Sequence, residues 1–210
     1  MTRWLAPLIL TLPLLPGARA DQDSCDGFGA IVSPQAISSA DVVFNGLTRT
    51  EALGYSVAAI GDFNGDGDED LAIGVPSADP NGRNSGGVLV FFGPTPASGS
   101  TDARDADLLI AGPLLGARVG WSVSAAGDVD QDGFDDIIIG ANPDPGYSPA
   151  SLTGGAAFLI TGSANPPGLL TVDTDATAII VGGGAGTLFG VAVAGVGDVN
   201  GDGFDDVAVG

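Results

Sequence analysis

Three times along this chain an acidic run opens on Gly-Asp, turns at a glycine and empties into an apolar stretch: GDFNGDGDEDLAIG from Gly61, GDVDQDGFDDIIIG from Gly127 and GDVNGDGFDDVAVG from Gly197. The spacings are 66 and 70 residues. A feature repeated at such a period is a unit of architecture before it is a site. The register also extends beyond the acidic run. Ala40, Ala106 and Ala176 each open a short apolar segment closed by Gly46, Gly112 and Gly182. Gly54, Gly120 and Gly190 follow eight residues later, and Gly74, Gly140 and Gly210 end three 35-residue blocks that align without a gap.

Between the blocks, a Gly-Gly pair precedes a further apolar run, GGVLVFFG from Gly86 and GGAAFLITG from Gly154. Each period therefore holds four short strand candidates. In the second they are GWSVSAAG, DDIIIG, GGAAFLITG and TAIIVG, separated by Gly, Pro, Asn and Asp turns. Val, Ile and Phe dominate them, and none has the length of a typical helix. Ile137-Ile138-Ile139 does not alternate with polar residues, which predicts a strand covered on both faces. Four strands per unit with both faces buried predict an all-β fold, a partial β-propeller of about two and a half four-stranded blades. A parallel β-solenoid is the competing repeat fold, but its coils are much shorter. The repeat blocks fall at 40–105, 106–175 and 176–210, behind a leader at 21–39.

The first 20 residues, MTRWLAPLILTLPLLPGARA, have a basic start at Arg3, a 13-residue apolar stretch and the small-x-small end Ala18-Arg19-Ala20. They read as a signal peptide (1–20) cleaved near Ala20, placing the mature chain in the medium or at the cell surface. A membrane anchor is the alternative. The stretch is short of the roughly 18 to 20 residues a span needs and contains prolines, so no transmembrane span is expected. After cleavage 4 basic residues face 26 acidic ones, a net charge of −22. That balance argues against nucleic acid and anionic membrane surfaces as partners. The three loops hold 14 of the 26 carboxylates, a concentration that calls for cations. Cys25 is the single cysteine, so no internal disulfide forms, and its role stays open.

Counted from the aspartate after each Gly-Asp glycine, oxygen-bearing side chains stand at positions 1, 3, 5 and 9. They are Asp62, Asn64, Asp66 and Asp70; Asp128, Asp130, Asp132 and Asp136; Asp198, Asn200, Asp202 and Asp206. Position 6 is Gly67, Gly133 or Gly203, where a tight reversal lets the carboxylates converge. Asp68, Phe134 and Phe204 at position 7 each offer a main-chain carbonyl. A hard cation taking six to eight oxygens suits this set, and Ca2+ suits it best, with two to three ions. A chain with no histidine and one distant thiol lacks the ligands of zinc and copper. An EF-hand would need glutamate at position 12, occupied by Ile73, Ile139 and Val209, and flanking helices. The loop is instead expected in a hairpin between the first two strands of a blade. Glu69, Asp135 and Asp205 at position 8 are expected to face outward, with a share in the ion left open.

The combination of a leading pair (Leu53-Gly54, Val119-Gly120, Phe189-Gly190), the acidic loop and a closing triplet (Gly74-Val75-Pro76, Gly140-Ala141-Asn142) resembles the FG-GAP repeats of integrin alpha-subunit propellers and related secreted bacterial proteins. Only the third copy has a literal Phe-Gly, and neither triplet reads Gly-Ala-Pro. The resemblance covers Ala40 to Gly210. It implies a calcium-stabilised propeller used in extracellular adhesion, and it transfers no particular ligand. The favoured function is a non-catalytic, secreted binding module for an extracellular protein or glycan. The alternative is the propeller portion of an extracellular hydrolase whose catalytic domain lies outside this chain. No histidine means no histidine-based triad. Trp121, an aromatic surface of the kind sugars stack on, is expected to pack within its own blade. Residues 41–46 align with the fourth strands at 107–112 and 177–182. The chain is accordingly expected to be a propeller fragment that self-associates through uncovered strand edges.

Overall fold

The computed structural model describes residues 42–46, 51–95, 99–143, 153–184 and 186–210. The expected signal peptide, the leader and Cys25 lie outside the described residues. Among those described, nearly all of the regular secondary structure is strand. The first blade is an antiparallel meander of β2 (Val57–Ala59), β3 (Leu71–Gly74), β4 (Gly87–Phe91) and β6 (Leu108–Ala111). The second repeats it with β7 (Val119–Gly127), β8 (Asp136–Ala141), β9 (Ala156–Ile160) and β11 (Ala178–Val181). A third copy contributes the hairpin of β12 (Val193–Gly197) and β13 (Asp206–Val209). The four strands expected in each full period are therefore present, in the expected order.

Burial explains why the blades stack. Ile137, Ile138 and Ile139 of β8 are all 0% exposed, as a strand covered on both faces requires. Ile137 and Ile139 join the core between the blades, with Ile60, Phe63, Val88 and Ile110 of the first blade and Phe158 and Ile160 of the second. Ile138 points the other way. It meets Ala126 and Ala157 in a cluster that Phe189, Val193, Val207 and Val209 of the third copy cover. Successive side chains of one strand thus serve two different interfaces.

The repeated glycines make the close approach possible. A Cβ on Gly74 would lie 2.2 Å from the Gly120 carbonyl oxygen, and one on Gly140 would lie 2.0 Å from that of Gly190. At the same places Ser56 Oγ donates to the Gly120 oxygen (2.9 Å) and Ser122 Oγ to the Gly190 oxygen (2.8 Å). The leading glycine of one repeat therefore nests against the closing glycine of the repeat before it.

Two features differ from the expectation of four strands. The polar segment β5 (Gly99–Asp102) pairs in parallel with β1 (Val42–Asn45), and β10 (Leu169–Thr171) pairs in parallel with β6. The outer strand β6 thereby gains a fifth, clasping strand in its sheet, while β1 and β5 form a two-stranded sheet of their own. Each clasp ends in a short turn, a 3-10 turn at Ala103–Asp105 and the single-turn helix α1 at Val172–Asp175. Val172 drops into the inter-blade core. The second difference is Trp121. Its ring lies 4.5 Å from that of Tyr55 in the preceding blade, tilted by 48°, with the Arg118 guanidinium 5.9 Å from its centre. It packs across the blade boundary rather than within its own sheet.

Candidate functional site

Each acidic loop joins the first and second strands of its blade, β2 to β3, β7 to β8 and β12 to β13. In β7 and β12 the pairing register shifts immediately before the loop, between Ala125 and Gly127 and between Gly195 and Gly197. Such bulges bend a strand and re-aim the side chains next to them. Position 6 adopts φ of +93° at Gly67 and +94° at Gly133 and Gly203. No atom lies within 4 Å of a Cβ built on Gly67 or Gly133, so the backbone conformation, not space, demands glycine there.

With that reversal made, the loop's N–H groups turn onto its own carboxylates. Gly67, Gly133 and Gly203 donate to Asp62, Asp128 and Asp198 Oδ2 at 2.9, 3.0 and 2.9 Å. Position 7 donates to position 5 in every copy: Asp68 to Asp66, Phe134 to Asp132 and Phe204 to Asp202, at 2.9 to 3.0 Å. Position 9 bridges back to the loop's start. Asp70 accepts from Phe63 and Asn64, Asp136 from Val129, and Asp206 from Val199 and Asn200. The carboxylates at positions 1, 5 and 9 thus accept main-chain N–H groups of their own loop in all three copies.

The second loop brings its acids closest. Asp128, Asp130 and Asp136 each place one carboxylate oxygen within 4.8 Å of the others. In the first and third loops position 3 is asparagine, and its amide donates inward, Asn64 to Asp66 Oδ2 (2.7 Å) and Asn200 to Asp206 Oδ1 (3.2 Å). Asp130 has no such donor to offer. The electrostatics reflect this. Asp136 is fully buried, and its carboxyl is pushed up to about 6 by that burial, with the charges of Asp130 and Asp132 adding and the Gly162 and Val129 N–H groups opposing. Burial likewise raises Asp70, while Asp198 is held low by the Gly203 N–H. In the first loop, Asp62 Oδ1 is buried without a hydrogen-bond partner. An orphaned carboxylate oxygen and a crowded, buried aspartate both fit a site that takes a divalent cation.

Two sets of contributing residues are not legible as such in the sequence. Gly93 donates to Asp70 Oδ1 (2.8 Å) and Gly162 to Asp136 Oδ1 (2.9 Å). Both glycines close the third apolar run of their blade, GGVLVFFG and GGAAFLITG, and that shared closing position is the signal that could have found them. The other set is position 8. Glu69 is exposed, as expected, but Asp135 and Asp205 do not face outward. Asp135 Oδ2 accepts the Asp62 N–H of the preceding blade at 2.8 Å, and Asp205 Oδ2 accepts the Asp128 N–H at 3.2 Å. Their partners lie 73 and 77 residues away, so no local pattern reveals them.

A family model described as FG-GAP repeat matches residues 53–91 and 119–152. The sequence is 33% identical to integrin alpha-5 of Xenopus laevis over 176 residues, which is 80% of this chain and 15% of that protein. It is 36% identical to integrin alpha-PS2 of Drosophila melanogaster over 162 residues, 75% of this chain and 10% of that protein. A third similarity is to human phosphatidylinositol-glycan-specific phospholipase D, 42% identical over 97 residues, 45% of this chain and 11% of that protein. The chain spans 10 to 15% of the length of these curated relatives.

Proposed function

This chain carries FG-GAP repeats of the integrin alpha type, and from that premise we propose that it is a secreted, non-catalytic calcium-binding propeller module that engages an extracellular protein or glycan. The observation that carries the calcium part is the second loop, where Asp128, Asp130 and Asp136 converge on one point with Asp136 buried among like charges. Asp62, Asn64, Asp66 and Asp70 would hold an ion in the first loop and Asp198, Asn200, Asp202 and Asp206 in the third. The carbonyls of Asp68, Phe134 and Phe204 would complete the three sets. Bound calcium would neutralise the carboxylates and stiffen the hairpins, leaving other loops to meet the partner.

Among the described residues no helix is long and apolar enough to cross a membrane. Secretion rests on the 1–20 signal, and the net charge of the mature chain disfavours nucleic acid. The strand β11, at the edge of its sheet, shows Ile179, Ile180 and Val181 to solvent at 40 to 48% exposure, which favours self-association along that edge. A second reading is favoured by the 42% identity to a phospholipase D, namely that the repeats accompany a hydrolase domain lying outside this sequence. The absence of histidine from the 210 residues excludes a histidine-based triad built from this chain alone.

Calorimetric titration tests the metal. Calcium should bind with the roughly 10⁻⁴ to 10⁻³ M affinity of extracellular modules. The double variant Asp128→Ala with Asp132→Ala should lose one site, and an unchanged isotherm would refute the assignment. Probing glycan and extracellular-matrix protein arrays with and without calcium tests the binding role. Release of product from phosphatidylinositol-glycan substrates by the longer protein would favour the second reading.

A further inference from the structure

The position-8 aspartates are seated where one blade's loop meets the next. Asp135 pairs with Asp62 at two points: its Oδ2 accepts the Asp62 N–H at 2.8 Å, and its own N–H donates to the Asp62 carbonyl oxygen at 3.2 Å. The seat is shaped for a carboxylate. Gly61 has φ of +73°, and a Cβ on it would lie 2.0 Å from Asp135 Oδ2. The same geometry recurs one blade later, where a Cβ on Gly127 (φ +74°) would lie 2.0 Å from Asp205 Oδ2. The contact is reinforced on both occasions. The Phe134 ring packs against Gly65, and Ser163 N–H donates to the Phe63 carbonyl at 3.0 Å. In the next pair Gln131 Nε2 donates to the Gly203 carbonyl.

Asp135 also occupies a particular place in its own loop. It is flanked by Phe134, whose carbonyl would be the position-7 ligand, and by Asp136, which would be the position-9 ligand. An ion in the second loop therefore pins the residues on either side of Asp135. Asp135 in turn fixes the backbone of Asp62, whose Oδ2 is held by Gly67 N–H and whose Oδ1 is the buried oxygen without a partner. Resting on the calcium reading above, we propose that Asp135 and Asp205 are inter-blade positioning residues, through which calcium in one loop preorganises the loop of the blade before it. Each acid reaches backward along the chain, so the link joins the third loop to the second and the second to the first; as a binding free energy the coupling within each pair is reciprocal.

A carboxylate could also help merely by adding negative charge near the preceding loop, and the test separates these roles. Hydrogen exchange of the full chain is followed by mass spectrometry across a calcium titration, reading the peptides covering 62–70, 128–136 and 198–206 separately. Asp135→Ala should raise the calcium concentration that half-protects 62–70 by about tenfold, the size expected for losing a hydrogen bond to a charged acceptor, and leave 198–206 unmoved. Asp135→Asn keeps an acceptor oxygen and loses the charge, so it should recover protection to within about threefold of the parent. Asp130→Ala, which disables the second loop's own ion, should weaken the first loop too, and that transmitted effect should vanish in the Asp135→Ala background. An unmoved 62–70 peptide in Asp135→Ala overturns the proposal. An Asn variant as weak as the Ala variant overturns it in favour of charge alone. Absence of any calcium-dependent protection in the parent sinks the calcium reading itself, and the coupling with it. Should Asp135→Ala fail to fold, Asp205→Ala reads the same coupling from the third loop to the second.

Discussion

Three consecutive isoleucines allow the stacked-blade architecture to be tested one face at a time. In a sheet with one solvated face, Ala substitution along Ile137-Ile138-Ile139 would alternate between costly and nearly neutral. Here all three are 0% exposed, Ile137 and Ile139 toward the first blade and Ile138 toward the third copy. Ile→Ala removes three carbons, so the transfer term alone is about 2.4 kcal/mol at ~0.8 kcal/mol per carbon. With the cavity left behind, each substitution should cost about 2–5 kcal/mol. For a chain of this size that lowers Tm by roughly 4–20 °C, at about 2–4 °C per kcal/mol. Ile138→Ala should fall toward the lower end. The cluster around it holds mainly alanines and half-buried residues of the β12–β13 hairpin, which can close over a cavity. Ile139→Ala, facing Phe158 and the fully buried inter-blade core, should sit at the upper end. Denaturant unfolding at saturating calcium gives the values. A cost below about 0.5 kcal/mol at Ile138, the ordinary range for a surface position, would mean that face is solvated and the stacking is wrong.

Three more outcomes concern the loops. Asp136 titrates at about 6 when folded, above the 3.8 of an ordinary aspartate, so without calcium its contribution to stability is fully present below pH 3.8 and is lost as pH rises through 6. Calcium should reverse this by favouring the ionised form. Denaturation midpoints measured from pH 4 to 7.5 with chelator and with calcium should diverge upward in pH, and Asp136→Asn should flatten the chelator curve. Gly133→Ala places a side chain at φ +94° with open space around it, so it should cost about 1–2 kcal/mol from backbone conformation alone, with Gly133→Asn milder. Gly162→Ala would put a Cβ 2.5 Å from the Asp135 carbonyl oxygen and 2.6 Å from that of Phe63. It should cost about 1–3 kcal/mol by thermal unfolding and weaken calcium binding in the second loop, whose Asp136 it helps hold.

The parts of the fold readable in the sequence are those where local pattern and final environment coincide. The unbroken Ile137–Ile139 run reports two covered faces because each residue's own chemistry must suit its surroundings. The hairpin placement of the loops is legible from the apolar runs on both sides of each acidic segment. The clasps β5 and β10 leave no such trace. GSTD is polar, LLT spans three residues, and both gain their strand character by pairing with an outer strand far back in the chain. Position 8 is opaque for the same reason. An acid in an acidic loop looks solvated until the preceding blade's Asp62 or Asp128 N–H is brought to it. Trp121 aligns with Tyr55 from repeat to repeat, and that equivalence suggests packing inside each blade; in space the two aligned rings are each other's neighbours.

The parallel pairing of β10 with β6 also sets how a pull on the chain is carried. Leu169, Leu170 and Thr171 align with Leu109, Ile110 and Ala111, and the stretch between the two strands contains the three inner strands of the second blade. Because the strands run the same way, the chain enters the pair at one end of β6 and leaves it at the opposite end of β10. Tension along the backbone therefore shears the rungs together instead of peeling them one by one. That load meets the pair before it reaches β7, β8 and β9. The clasp is a short mechanical bypass, and the inner strands of the second blade stay slack while the outer edge of the first holds.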